Sequence, residues 1–150
     1  MNIVVDFATA MDLESMADLL AELFELESDF SPDRAKQMRG LRLVLDNPNA
    51  GRLFVLRIDG QVAGMANALI TVSTAEGCRV VLLEDVIVQA RYRRMGHGRR
   101  LVEHVRDWAA TEGMTRITLL ADRDNRRALD FYAGLDFRES AMVALRYSPG

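Results

Sequence analysis

The sequence has few residues of the kinds that build metal sites and disulfides. Among 150 residues it contains one cysteine, Cys78, and two histidines, His97 and His104. A lone cysteine excludes an internal disulfide and a cysteine-ligated metal site, and two histidines are too few for a metal cluster. We therefore expect no bound metal. We expect Cys78 to be a small buried hydrophobic residue, with a reactive thiol as the alternative.

Long hydrophobic runs are also lacking. No stretch approaches the roughly eighteen uninterrupted apolar residues of a transmembrane helix, and the N-terminus lacks the basic start and apolar run of a signal peptide. We therefore expect a cytoplasmic protein with no membrane partner. The chain length and a hydrophobic content of 49% fit a single domain over residues 1–150.

Positive charge is absent from the beginning of the chain. No lysine or arginine precedes Arg34, and the acidic residues before it are Asp6, Asp12, Glu14, Asp18, Glu22, Glu25, Glu27, Asp29 and Asp33. Arginines are concentrated further on, at Arg91, Arg93, Arg94, Arg99, Arg100, Arg123, Arg126 and Arg127. This separation is compatible with one cationic and one anionic ligand meeting on one domain, or with two solvated faces of different charge.

Hydrophobic periodicity predicts an alternation of strands and helices. The predicted strands are Ile3–Ala8, Leu53–Ile58, Val62–Ser73, Arg79–Val88, Ile117–Ala121 and Phe137–Arg146. The predicted helices run from Asp12 to Glu27, from a Ser31-Pro32 start to before Asp46, from Gly98 to Glu112, and from an Asn125 cap through Tyr132. The order β-α-α-β-β-β-α-β-α-β predicts a mixed α/β layer structure, with Asp59-Gly60 as a hairpin turn and with strands four and five parallel.

The clearest motif lies between the fourth strand and the third helix. It reads Arg93-x-x-Gly96-x-Gly98. Glycines leave backbone N–H groups uncovered at a helix N-terminus, where the helix dipole also attracts anions, so the motif predicts a pyrophosphate site. It is neither the dinucleotide fingerprint nor a P-loop. Nucleic-acid binding is disfavoured because the arginines flank a glycine turn and the chain is acidic overall, with a net charge of -3.

Two segments resemble motifs of the GNAT N-acetyltransferase superfamily, and the predicted order of strands and helices matches that family over essentially the whole chain. The first is Leu83-Glu84-Asp85-Val86-Ile87-Val88 followed by Tyr92-Arg93-Arg94-Met95-Gly96-His97-Gly98, and the second is Asn125-x-x-Ala128-Leu129-x-Phe131-Tyr132. The resemblance implies the GNAT fold, in which helices cover both faces of a mixed sheet. It also implies that strands four and five splay apart and that acetyl-coenzyme A binds in the gap.

The resemblance implies a set of cofactor-binding residues. The pantetheine arm would pair with strand four, and an N–H near Ile87 or Val88 would polarise the thioester carbonyl. The implied residues are Val86, Ile87 and Val88 for the arm, Arg93, Arg94, Met95, Gly96, His97, Gly98 and Arg99 for the pyrophosphate, and Asn125 near the arm. The alternative for Asn125 is a plain helix cap.

The implied catalytic residues are Tyr132 and Glu84. A tyrosine pKa of about 10 exceeds a thiol pKa of about 8.5, so Tyr132 would assist the departing thiolate mainly by hydrogen bonding. Glu84 would act as the base that deprotonates an amine, with Asp85 as the alternative. Strand alternation sends these two side chains to opposite faces unless a bulge intervenes. Tyr132 could instead be a packing residue, and either carboxylate could be structural.

The function implied is transfer of an acetyl group from acetyl-CoA to a primary amine by direct attack in a ternary complex. The acceptor would be a small cationic amine or a lysine side chain, attracted by Glu22, Glu25, Glu27 and Asp29. A non-catalytic acyl-CoA sensor or assembly module is the alternative, and the presence of both Glu84 and Tyr132 favours the enzyme. Family habit implies a possible homodimer.

Two positions depart from the family pattern. His97 occupies a position that usually holds an aliphatic residue, and its backbone role survives the change. Asp136 replaces a glycine, and aspartate tolerates a left-handed backbone better than most residues.

Overall fold

The structure is a computed structural model that describes residues 1–26 and 32–150. The elements are β1 Ile3–Phe7, α1 Leu13–Leu26, α2 Arg34–Leu45, β2 Gly51–Ile58, β3 Gln61–Ser73, β4 Cys78–Val88, α3 His97–Thr111, β5 Ile117–Leu119 and α4 Arg126–Ala133. Single 3-10 turns lie at Ala10–Asp12 and Ala90–Tyr92. Residues 1–120 form one compact unit and residues 121–150 another. The single domain over residues 1–150 stays a prediction.

The first unit contains a five-stranded mixed sheet in the order β1-β2-β3-β4-β5. Neighbouring strands are antiparallel except β4 and β5, which are parallel as predicted. The hairpin between β2 and β3 is also confirmed: Asp59 has φ 50° and Gly60 has φ 83°. Two positive φ values in a two-residue turn match the right-handed twist of the strands, which is why Asp-Gly is favoured there.

Helices cover both faces of the sheet, as expected. Side chains alternate along β2, so Leu53 and Val55 join the core cluster that contains α1 residues such as Met16. Phe54 points to the opposite face, where its ring makes edge-on contacts with Trp108 of α3 at 5.2 Å. One face of the sheet therefore packs on α1 and α2, and the other on α3.

Strands β4 and β5 diverge in the predicted place. Their pairing begins at Val81 and ends at Leu83, opposite Leu119. β4 continues to Val88, paired there with β3. In the part of the chain that the structure describes, no strand pairs with this end of β4 on the β5 side.

The predicted sixth strand over Phe137–Arg146 is wrong. After α4, residues 137–150 contain no strand, and the side chains from Arg138 onward are exposed. Exposed apolar residues among them include Met142 and Leu145. Alternating polarity indicates which face of a strand would be buried, but a strand forms only where a partner binds its backbone N–H and C=O groups. Asp136 has φ 69°, which confirms that it adopts the left-handed conformation.

The start of α2 differs from the prediction. Its N-cap is Asp33, whose carboxylate accepts a hydrogen bond from the Lys36 N–H at 3.2 Å. Aspartate is as effective a cap as serine. Glu27, the predicted end of α1, and Ser31 both lie outside the described residues.

Cys78 differs from its expected burial. It is half-buried, with its sulfur 3.3 Å from the Thr115 hydroxyl. None of the described helices is both long and apolar enough to cross a bilayer.

Candidate active site

The loop from β4 to α3 presents an open helix N-terminus. Gly96 is the N-cap of α3 with φ 84°, and as a glycine it has no side chain that could cap the helix. A Cβ atom at Gly96 would meet no atom within 4 Å. First-turn N–H groups lack carbonyl partners inside a helix. Free backbone donors, open space and the positive end of the helix dipole together suit a pyrophosphate.

The residues around Gly96 divide into exposed and buried groups. Arg94, Met95 and Arg99 are exposed, and Arg94 has a left-handed backbone with φ 63°. His97 is only 4% exposed, and its ring lies edge-on to Tyr92 at 6.2 Å. The imidazole Nε2 has no hydrogen-bond partner among the described residues. This position supports the expectation that His97 contributes its backbone N–H, while its side chain packs.

Arg93 is placed differently from the other arginines of the motif. Its Nη2 lies 2.8 Å from Glu22 Oε1, and its Nε donates to the Val88 carbonyl at 2.8 Å. The same Glu22 oxygen accepts a hydrogen bond from the Ala90 N–H at 3.2 Å. The guanidinium therefore binds the protein itself. Glu22, which we expected to attract an acceptor, is also engaged by this loop.

A β-bulge lies where β4 leaves β5. Asn67 of β3 pairs with Glu84, but Met65 pairs with Ile87, so the single residue between them on β3 faces both Asp85 and Val86. Asp85 has φ 56°. An extra residue in one strand breaks the alternation of side chains and bends the strand. Simple alternation therefore does not decide which of Glu84 and Asp85 points towards an acceptor.

The two carboxylates differ in environment. Asp85 is half-buried, and the Nδ2 of Asn67 donates to its Oδ2 at 3.3 Å. Burial raises the pKa of the Asp85 carboxyl above its usual value, although the hydrogen bond from Asn67 acts in the opposite direction. Glu84 is exposed. A carboxylate with a raised pKa is a better base near neutral pH.

Sequence reasoning missed Asn67. Its side chain is 7% exposed, and its Oδ1 has no partner among the described residues. A buried amide inside an otherwise apolar strand is unusual and usually has a polar partner. The asparagine within the apolar sequence of β3 was therefore the signal that could have indicated a polar partner at this position.

In the second unit, Asn125 is the N-cap of α4, and its Oδ1 accepts a hydrogen bond from the Ala128 N–H at 3.1 Å. This is the cap that we considered as the alternative to a cofactor contact. The Tyr132 ring makes edge-on contacts with Phe131 at 4.9 Å and with Phe137 at 5.5 Å. The cofactor role of Asn125 and the catalytic role of Tyr132 stay predictions.

Comparison with known proteins identifies the class. The sequence model of the Acetyltransferase (GNAT) family matches residues 13–137, and the chain belongs to this family. A relative is the aminoglycoside N(6')-acetyltransferase type 1 of Serratia marcescens, which is 26% identical over 106 residues, or 69% of this chain and 73% of the relative.

Two solved structures share the fold. A possible acetyltransferase from Clostridium difficile 630 superimposes with a TM-score of 0.89 at 19% identity, covering 99% of this chain and 98% of the other. AAC(6')-Iy in complex with the bisubstrate analog CoA-S-monomethyl-acetylneamine gives 0.82 at 20% identity, covering 100% of both chains.

The family assignment defines the donor. GNAT acetyltransferases use acetyl-CoA, and the chain is an acyl-CoA-dependent acetyltransferase. The Gly96 turn at the start of α3 and the part of β4 beyond Leu83 are the segments that we expect to bind the pyrophosphate and the arm of this donor. The assignment favours the enzyme over the non-catalytic sensor.

Proposed function

We propose that the protein transfers the acetyl group of acetyl-CoA to a primary amine of a small cationic molecule, by direct attack in a ternary complex. A lysine side chain is the second acceptor class. The observation that carries the proposal is the half-buried Asp85 carboxylate, which lies in a bulge just beyond the part of β4 that pairs with β5. The chain then continues into the Gly96 turn at the start of α3. The aminoglycoside acetyltransferase among the relatives supports an amine acceptor.

The donor side relies on backbone groups. When bound, acetyl-CoA supplies an acyl group activated as a thioester. The N–H groups from Arg94 to Arg99 would bind its pyrophosphate, and the edge of β4 from Val86 to Val88 would pair with its arm. An N–H of Ile87 or Val88 would polarise the thioester carbonyl. Asn125 would contact the arm.

The acceptor must lose a proton before it can attack. An aliphatic amine is protonated at pH 7, so a base is needed near the end of β4. The family resemblance favours Glu84, whereas burial favours Asp85. We assign the base to Asp85 because a desolvated carboxylate binds a proton more readily than an exposed one. Tyr132 would then hydrogen-bond the departing thiolate.

The acidic first helix would attract the acceptor. Glu22 is engaged by Arg93, so among the described residues Glu25, which is exposed, remains available for a cation. Glu27 and Asp29 lie outside the described residues. Exposed carboxylates raise the local concentration of a cationic ligand, and salt screens this effect.

The function is tested by measuring free-thiol release from acetyl-CoA with a panel of amines. The panel contains a polyamine, an aminoglycoside with a 6'-amine, and a lysine-containing peptide. We expect amine-dependent turnover with a small cationic amine that weakens as salt is raised. Turnover with the peptide alone would favour the lysine class, and no turnover with any amine would contradict the proposal.

The base is tested with the matched variants Asp85→Asn and Glu84→Gln. We expect Asp85→Asn to lower kcat/KM by roughly 100-fold, the usual scale of general-base catalysis, and to remove the acidic limb of the pH profile. Glu84→Gln should keep that limb. The reverse pattern would assign the base to Glu84.

A further inference from the structure

The carboxylate of Glu22 on α1 contacts the loop between β4 and α3, which we propose binds coenzyme A. Helix α1 precedes this loop by about 70 residues in sequence, yet Glu22 contacts it at two points, the Ala90 N–H and the Arg93 guanidinium. We propose that Glu22 and Arg93 are positioning residues for the donor, and that their pairing fixes the loop in the conformation that binds the pyrophosphate of acetyl-CoA. This inference rests on the proposed donor site.

The pair connects three segments of the chain. Glu22 Oε1 accepts from Arg93 Nη2 at 2.8 Å and from the Ala90 N–H at 3.2 Å. The Nε of the same guanidinium donates to the Val88 carbonyl at 2.8 Å. One carboxylate oxygen and one guanidinium therefore join α1, the last residue of β4 and the turn that follows it.

Local hydrogen bonds alone hold the loop only weakly. Its first residue, Gln89, donates its N–H to the Ala63 carbonyl of β3 at 2.8 Å. The backbone bonds of the turn that follows are short-range, from the Tyr92 N–H to the Gln89 carbonyl at 2.9 Å and from the Arg93 N–H to the Ala90 carbonyl at 3.2 Å. Directly after Arg93, both Arg94 and Gly96 adopt positive φ values of 63° and 84°. A non-glycine residue rarely adopts this conformation without support from surrounding structure. The contacts with Glu22 supply support from a distant element.

The pairing also changes how Arg93 contributes to binding. Its charge is balanced by Glu22, and two of its guanidinium nitrogens are bound to protein oxygens. Arg93 therefore acts through the position of the loop rather than as a direct phosphate ligand. Arg94 is exposed and is suited to contact a phosphate directly.

Electrostatics and positioning predict opposite effects for Glu22→Gln. Removing a negative charge near a pyrophosphate site tightens anion binding if charge alone matters. If Glu22 positions the loop, losing a charge-assisted hydrogen bond weakens binding. The sign of the change in affinity therefore distinguishes the two explanations.

The experiment measures coenzyme A binding to the full chain by calorimetry, and the KM for acetyl-CoA and kcat with an amine that is turned over. We expect Glu22→Gln and Arg93→Met each to raise the Kd for coenzyme A about tenfold, the scale of a hydrogen bond to a charged group, with kcat at saturation within about threefold of the wild type. The double variant should weaken binding by less than the sum of the two single effects, because both changes remove the pairing of Glu22 with Arg93.

Controls separate the pair from general effects of charge and folding. Glu14→Gln removes an exposed carboxylate from the same helix, and Arg91→Met removes an exposed arginine from the same loop. Both should leave the Kd within about threefold, since neither disturbs the hydrogen bonds of the pair. Arg93→Lys keeps the positive charge but cannot make both guanidinium contacts, so this variant should bind coenzyme A more weakly than the wild type. It also provides a test of the pair if Glu22→Gln does not fold.

The outcomes are distinguishable. Wild-type protein that does not bind coenzyme A overturns the proposed donor site and this inference together. Wild-type protein that binds coenzyme A, with Glu22→Gln and Arg93→Lys binding equally well or more tightly, overturns this inference alone. A loss in Arg91→Met as large as that in Arg93→Met assigns the effect to charge and also contradicts the inference.

Discussion

The guanidinium of Arg57 forms two parallel hydrogen bonds with the carboxylate of Asp12, at 2.8 Å and 2.9 Å. Asp12 is 6% exposed and also accepts a hydrogen bond from the Thr9 N–H at 2.8 Å. The Nε of Arg57 donates to Asp6 at 3.1 Å. The start of α1 is thus tied to β1 and β2, and the pairing with Arg57 holds the pKa of Asp12 below its usual value.

We predict that Asp12→Asn lowers the free energy of unfolding by about 2–4 kcal/mol, because it leaves Arg57 without its main partner in a largely buried place. Urea denaturation measures the change. Asp18→Asn is the matched control, since Asp18 pairs with Arg34 at 2.7 Å but both side chains are more than half exposed. That control should lose at most about 1 kcal/mol. Equal losses in the two variants would contradict the prediction.

The wild-type advantage over Asp12→Asn should depend on pH. The folded-state pKa of Asp12 is lowered, so its stabilisation is present above the unfolded value of about 3.9 and is lost as pH falls through the folded value. Unfolding measured at several pH values should therefore show the two proteins converging in acid. A constant difference down to pH 2 would contradict this assignment.

Asp85 should show the opposite dependence. Its folded-state pKa is raised by burial, so the folded protein binds the proton more tightly than the unfolded chain. Its favourable contribution is present below the unfolded pKa and is lost as pH rises through the folded value. Asp85→Asn should therefore gain stability relative to the wild type between acidic and neutral pH. Glu84→Gln, a change at an exposed neighbour, is the control and should show no such gain.

Local signals predicted much of the fold and of the turn that we propose binds the donor. Asp59-Gly60, the glycine turn at Gly96 and the cap at Asn125 each depend on a few adjacent residues, and each lies where it was expected. The separation of β4 from β5 followed from the family resemblance.

The features that were missed depend on residues far apart in sequence. The pairing of Glu22 with Arg93 joins two residues that lie 71 positions apart in the sequence. The bulge at Asp85 depends on the register with β3, which no local pattern records. The sequence over Phe137–Arg146 alternates in polarity as a strand does, but in the described chain its backbone has no partner strand.

Gly64 lies close to the C-terminal end of β4, which we propose binds the donor. A Cβ atom there would lie 3.1 Å from the Ile87 carbonyl oxygen and 3.3 Å from a Val88 methyl group. We predict that Gly64→Ala destabilises the protein by about 1–3 kcal/mol through overpacking and raises the KM for acetyl-CoA. Chemical denaturation and steady-state kinetics measure these effects.

Gly40→Ala serves as the matched control for that substitution. Gly40 lies within α2, and a Cβ atom there would meet nothing within 4 Å. Alanine should stabilise the helix by about 0.5–1 kcal/mol and leave the KM unchanged. If Gly64→Ala also stabilised the protein, the close approach to β4 would have no energetic consequence.

Tyr132→Phe tests the remaining catalytic residue. Removing the hydroxyl should lower kcat by roughly 10- to 1000-fold if it stabilises the departing thiolate, the range of proton-transfer catalysis. Phenylalanine can retain the ring contacts with Phe131 and Phe137. Tyr147→Phe, at an exposed tyrosine, is the control and should leave kcat unchanged. Because the thiolate forms only as the acyl group departs, the substitution should lower kcat and leave the Kd for coenzyme A within about threefold of the wild-type value. Unchanged turnover would show that Tyr132 is a packing residue.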